Sequence, residues 1–109
     1  MATIEYKGET LDLVVTDYVD NHTPAIVAFT KSGECYATIT KNLDSNIAKL
    51  MNDNVSIDGV LYQFIDTNNL PGIDEALVKA DLGKLLEIEV ASGYCIYPLF
   101  EFHMEEEDV

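Results

Sequence analysis

Two side chains in this sequence, His22 and His103, have an ordinary pKa near neutrality, so a general base would most naturally be one of them. Asp17 and Asp20 stand near enough in sequence to orient His22. Neither histidine is accompanied by a nucleophile elbow, a phosphate loop or an H-E-x-x-H run, and both are read as surface residues. Cys95 with His103 would form a thiol dyad only if the chain turned, because an extended strand holds them about 26 Å apart.

The densest polar cluster is Asp66-Thr67-Asn68-Asn69. Its oxygens could converge on a cation, and a metal-assisted enzyme would use Asp66 with Asn68 or His22. The run departs from the D-x-[DN]-x-[DN]-G calcium loop, because Leu70 and Pro71 occupy the later positions. A mechanical role competes: Asp66 and Asn68 make Asx turns, Asn69 caps the following helix, and Pro71 sits in its first turn. That role is preferred, with no catalytic residue, metal or cofactor expected.

Carboxylates offer a third kind of chemistry. Twenty acids stand against six bases, all lysine, for a net charge of −14. Arginine, the usual residue for bidentate capture of phosphate, is absent, which argues against direct binding of nucleic acid, nucleotides or anionic lipid. A basic protein surface is the favoured partner. The residues expected to meet it are Glu87, Glu89, Glu101 and the terminal Glu105, Glu106, Glu107 and Asp108, with Tyr94 and Tyr97 as aromatic anchors. Fourteen charges match about 24 Å of duplex DNA, or about 7 base pairs, which raises nucleic-acid mimicry. Same-face carboxylates on one strand repeat only every ~6.8 Å, so mimicry needs several elements to supply one face. Acidity serving solubility alone is the plainer alternative.

The elements that must position these residues are hairpins. Thr3 to Tyr6, the turn Lys7-Gly8 and Glu9 to Val19 form the first; Ala25 to Thr30 and Glu34 to Thr40, around Lys31-Ser32-Gly33, form the second. Asn42 to Asn54 changes period, with Leu43, Ile47, Leu50 and Met51 on one stripe and Asn42 or Asp44 as N-cap. Asp58-Gly59 turns the chain into an apolar strand from Val60 to Ile65. After the corner comes an amphipathic helix with Ile73, Ala76, Leu77 and Ala80 on one face and Gly83 just past its end. Leu85 to Ala91, the turn Ser92-Gly93 and Tyr94 to Phe102 close the chain, with Pro98 marking an edge or a bulge. The order β-β-β-β-α-β-α-β-β specifies an α+β domain, a mainly antiparallel sheet with one or two helices packed on one face.

At 109 residues the chain is one domain, residues 1–103, followed by an acidic tail, 104–109. A domain of this size buries about 65% of its unfolded-chain surface and folds without staples. Cys35 and Cys95 lack disulfide or zinc spacing and are expected as free, buried thiols in a reducing cytoplasm. Neither a leader pattern nor an apolar span of membrane length occurs, and the domain is expected as a monomer or homodimer.

FIDTNNLPG (Phe64 to Gly72), the helix after it and SGYCIYPLFEF (Ser92 to Phe102) resemble a family of small uncharacterised proteins carried by plasmids, conjugative transposons and phages of gut bacteria. The resemblance covers the second half in sequence and the first half through its hairpins. Two departures matter: Asn42 to Ile57 is longer than in the family, and Leu70 and Phe100 replace residues more often Cys and Tyr, which excludes a thiol role at Leu70. That family has no assigned chemistry. The resemblance implies a setting, a cytoplasmic accessory protein of a mobile element, and such elements encode small acidic inhibitors of host defence systems.

The function expected first is therefore a non-enzymatic acidic binding protein that engages a basic, nucleic-acid-binding host protein. The second is an assembly or homodimerisation module acting through a sheet edge. The third is the metal-assisted enzyme at the Asp66 corner.

Overall fold

In the computed structural model, described here for residues 2–54 and 59–104, eight strands form two antiparallel sheets and two helices cover them. The first sheet is the meander β1 (Thr3–Tyr6), β2 (Glu9–Asp17), β3 (Pro24–Thr30) and β4 (Cys35–Thr38) in chain order. The second contains β5 (Thr40–Lys41), β6 (Val60–Ile65), β7 (Gly83–Ser92) and β8 (Cys95–His103), in the order β5-β6-β8-β7. Helix α1 spans Ile47–Asn54 and α2 spans Ile73–Lys79. The α+β class and the hairpins expected from the sequence are present, but the strands expected in a single sheet divide into two.

Ile39 makes that division. It is fully buried, its N–H donates to the Ile26 carbonyl at 2.9 Å in the first sheet, and its carbonyl accepts from the Asp66 N–H at 2.9 Å beside the second. The single strand expected over Glu34 to Thr40 is therefore two strands that belong to different sheets. Thr40 holds the corner from the other side, its Oγ1 accepting the Ile26 N–H at 3.1 Å and bonding Tyr18 Oη at 2.9 Å.

Alternation along β8 builds two cores. Phe100 and Phe102 point between the sheets, where they meet Ile4, Leu11, Leu13, Ile26 and Ile65 with Ile73 and Leu77 of α2. Tyr97 and Leu99 point the other way and pack with Tyr62, Phe64, Leu43 and Ala48 under α1. The helices, expected on one face, thus cover opposite faces of the second sheet, because β8 is apolar on both. Burial of this kind stabilises by about 25 cal/mol per Å² of apolar surface, so a strand apolar on both faces anchors the domain.

Both helices are shorter than their sequence stripes. Leu43 reaches its core from an irregular segment, and α1 begins only at Ile47, whose N–H donates to Ser45 Oγ at 3.4 Å. Ile47, Ala48 and Met51 pack inward while Leu50 is half exposed, so the expected i, i+7 pairing of Leu43 with Leu50 does not hold. For α2 the N-cap is Gly72, without a side-chain cap, rather than Asn69, and Pro71 lies before the helix. Its end is a Schellman turn: Leu82 N–H donates to Leu77 O and Asp81 N–H to Val78 O, with Asp81 at φ 60 in the left-handed role expected of Gly83. Gly83 instead opens β7, where a Cβ would be driven into the Glu101 carbonyl oxygen and the Phe100 ring.

Candidate functional site

The β7–β8 hairpin carries five of the nine residues expected to meet a partner. Ser92 pairs with Cys95, leaving Gly93 and Tyr94 as a two-residue loop, and Gly93 at φ 63 meets the requirement of such a turn. Tyr94 is fully exposed at the tip and Ile96 is 59% exposed behind it. Tyr97 is buried in the core under α1, so of the two expected anchors only Tyr94 is presented to a partner.

Register decides where the carboxylates point. Leu85 pairs with Phe100 and Glu89 with Pro98, so four steps along β7 span two along β8 and β7 bulges between them. The shift is even, so faces are preserved. Leu86, Ile88 and Val90 lie half buried against the α1-side core, while Glu87 and Glu89 are exposed on the opposite face with Pro98 and Ile96. Nearby, Asp74, Glu75, Val78, Lys79 and Leu85 line an open groove where α2 approaches β7.

Glu101 faces the other way. It pairs with Tyr62 across β6 and with Lys84 across β7. Its Oε1 accepts from Tyr62 Oη at 3.1 Å, Oε2 lies 2.6 Å from His103 Nε2, and Lys84 Nζ is 3.9 Å away. The His103 bond, helped by Tyr62 and Lys84 and opposed by burial, holds the Glu101 carboxyl below the ordinary glutamate range. Burial first, then Glu101, pushes the Tyr62 hydroxyl up. A carboxylate-oriented histidine can accept a proton, but this carboxylate is already committed to three neighbours, and the hydrogen bond made by His103 goes to Glu101. Glu101 therefore does not join Glu87 and Glu89 on one face. Glu105, Glu106, Glu107 and Asp108 lie outside the described residues.

The Asp66 corner takes the mechanical form. Asp66 is buried; its Oδ1 accepts the Asn69 N–H at 3.2 Å, its Oδ2 accepts Asn69 Nδ2 at 2.9 Å, and its carbonyl accepts the Leu70 N–H at 2.9 Å. Asn68 is exposed and Thr67 half buried, and the Pro71 carbonyl accepts Tyr6 Oη at 2.8 Å, tying the corner to β1. His22 is exposed on the loop between β2 and β3. Among the described residues no three His, Cys, Asp or Glu side chains gather to hold a metal. Both cysteines are unpaired, as expected, but Cys35 is exposed rather than buried and Cys95 only half buried.

Sequence reasoning missed one polar seam. Gln63, fully buried, donates from Nε2 to Thr23 Oγ1 at 3.0 Å and to the Pro24 carbonyl at 2.8 Å, while its Oε1 accepts the Phe64 N–H at 3.0 Å. It locks the first sheet to the second and leaves no donor unmet. Its signal was a lone glutamine inside the apolar run Val60–Ile65.

Among the described residues no helix is long and apolar enough to cross a membrane. A family model described as a domain of unknown function, DUF4313, matches residues 10–108, extending over the first half as well as the motif-bearing second half. No curated protein and no solved structure matched the chain.

Proposed function

We propose that this chain, which belongs to the DUF4313 family of domains of unknown function, is a non-enzymatic binding protein whose β7–β8 hairpin engages a basic protein surface in the cytoplasm. One observation carries the reading. Glu87 and Glu89 stand exposed on an edge strand beside exposed Ile96 and Tyr94, in a chain of net charge −14 without arginine. Apolar contact supplies affinity and the carboxylates supply steering and choice of partner. The described carboxylates divide between two faces of the second sheet, which favours a local basic segment over a continuous duplex-like row as the object recognised. Two unpaired thiols fit a reducing compartment. A basic, nucleic-acid-processing host protein, met in the mobile-element setting the resemblance implies, is the partner class proposed.

The test is affinity capture from lysate at low and high salt, comparing wild type with E87Q/E89Q, Y94A and E101Q. A basic protein held by wild type and E101Q at low salt, released at high salt and lost by the first two variants supports the reading. Retention of the same proteins by all four, or capture of nothing basic, sinks it.

A further inference from the structure

We infer that β7 receives its partner as an added strand, an extended segment that alternates Lys or Arg with apolar residues. This deepens the function proposed above and rests on it.

Strand β7 runs ten residues, Gly83–Ser92, at the edge of the second sheet, and among the described residues β8 is its only strand partner. An edge of that kind presents a row of backbone donors and acceptors to any strand that approaches. The competing edges are poorer. β5 has two residues and β4 has four, while β1 has four and lies under α2. From Leu86 to Ser92, clear of the connection to α2, β7 offers about 23 Å of backbone, with the bulge at its start and a regular ladder to β8 from Glu89 to Ser92.

The two faces of that stretch specify the occupant. An added strand would place every second side chain beside Leu86, Ile88 and Val90, extending the α1-side core, and these must be apolar. The intervening side chains would face Glu87 and Glu89, both exposed, and opposite charge is favoured there. A second copy is the wrong occupant: antiparallel self-pairing centred on Ile88 sets Glu87 across from Glu89 twice, and like charges directly opposite destabilise the pair. The two glutamates thus disfavour this self-pairing and favour a basic strand in its place.

The experiment uses the full chain and a short end-blocked peptide alternating lysine with valine, a shuffled peptide of the same composition, and the alternating peptide N-methylated at every second amide. Hydrogen exchange of the amides of residues 86–92 is followed with the peptide affinities. Strand addition requires slowed exchange with the alternating peptide, at least about tenfold weaker binding after N-methylation, which removes the pairing donors, and a comparable loss in E87Q/E89Q. Equal affinity of the N-methylated peptide, without slowed exchange in β7, overturns strand addition while basic-partner binding stands. Binding of neither lysine peptide at low salt removes both.

Discussion

The side-chain amide of Asn52 pairs with the backbone of Tyr62 as a neighbouring strand would. Tyr62 N–H donates to Asn52 Oδ1 at 2.9 Å, and Asn52 Nδ2 donates to the Tyr62 carbonyl at 2.8 Å and to the Ala48 carbonyl at 2.7 Å. β5 is only two residues long and pairs with Phe64 and Ile65, so β6 has no strand beside Tyr62 on that side. One helical side chain stands in for it and fixes α1 to the sheet. Asn52→Ala should therefore lower the unfolding free energy by about 1–3 kcal/mol, the cost of leaving partly buried backbone groups unmet. Asn52→Asp, which keeps the acceptor but loses the donors, should recover only part of it in urea titrations; two variants indistinguishable from wild type would show that water replaces the amide at no cost.

Gly83 answers to a different constraint. Its φ of 144 and the close approach of the Glu101 carbonyl and the Phe100 ring leave no room for a Cβ. Gly83→Ala should cost more than about 3 kcal/mol, whereas Gly8→Ala, at φ 79 in open space, should cost about 1 kcal/mol. Equal melting temperatures for the two variants would refute the close approach.

Glu101 makes stability depend on acid. Its folded-state pKa lies below the ordinary 4.5, chiefly through His103. The ionised form therefore favours the fold above the ordinary value, and that contribution is lost as pH falls through the depressed folded-state value. Urea midpoints taken downward from about pH 6 should fall more steeply for wild type than for Glu101→Gln. Parallel profiles would contradict the assignment.

Tyr18, Tyr62 and Tyr97 respond at the alkaline end. Burial leads the upward shift at Tyr18, Tyr62 and Tyr97, with nearby Asp66 adding at Tyr18 and Tyr97, Glu101 at Tyr62 and Cys95 at Tyr97. A raised folded-state pKa means that these groups favour the fold fully below the ordinary value of 10 and cease to do so as pH rises through the folded-state values. The tyrosinate absorbance of Tyr18, Tyr62 and Tyr97, taken as the difference between wild type and Tyr18→Phe, Tyr62→Phe and Tyr97→Phe, should appear late in the titration, together with the unfolding seen by circular dichroism. Ionisation of these three at the ordinary value of 10, before any unfolding, would show their hydroxyls open to water.

Asp66 spends both carboxylate oxygens on Asn69. Asp66→Ala should destabilise by about 1–3 kcal/mol, and neither magnesium nor a chelator should move the melting temperature of wild type. A magnesium-dependent rise that Asp66→Ala abolishes would restore the cation-site reading.

Local patterns reached far into this fold. Two-residue turns at Lys7-Gly8 and after Ser92, alternation at Leu11 and Leu13, and the apolar face of Ile73 and Leu77 are encoded within a few residues, because period and turn chemistry act at that range. That Asp66 would close the corner with its side chain was legible for the same reason, although its bond goes to the Asn69 N–H three residues on. Helix ends were less so: Asp81 took the left-handed position because the Schellman bonds of Leu82 and Asp81 reward it, which a search for glycine overlooks. What the tertiary structure alone decided was which face meets which element. Alternation says that Glu87 and Glu89 share a face; only the register of β7 on β8 sets Glu101 opposite them, under Tyr62 and beside His103. Likewise nothing local to Ile39 marks it as the point where one strand becomes two. Its N–H and carbonyl find Ile26 and Asp66, partners 13 and 27 residues distant, and hydrogen bonds over such separations exist only once the sheets have packed.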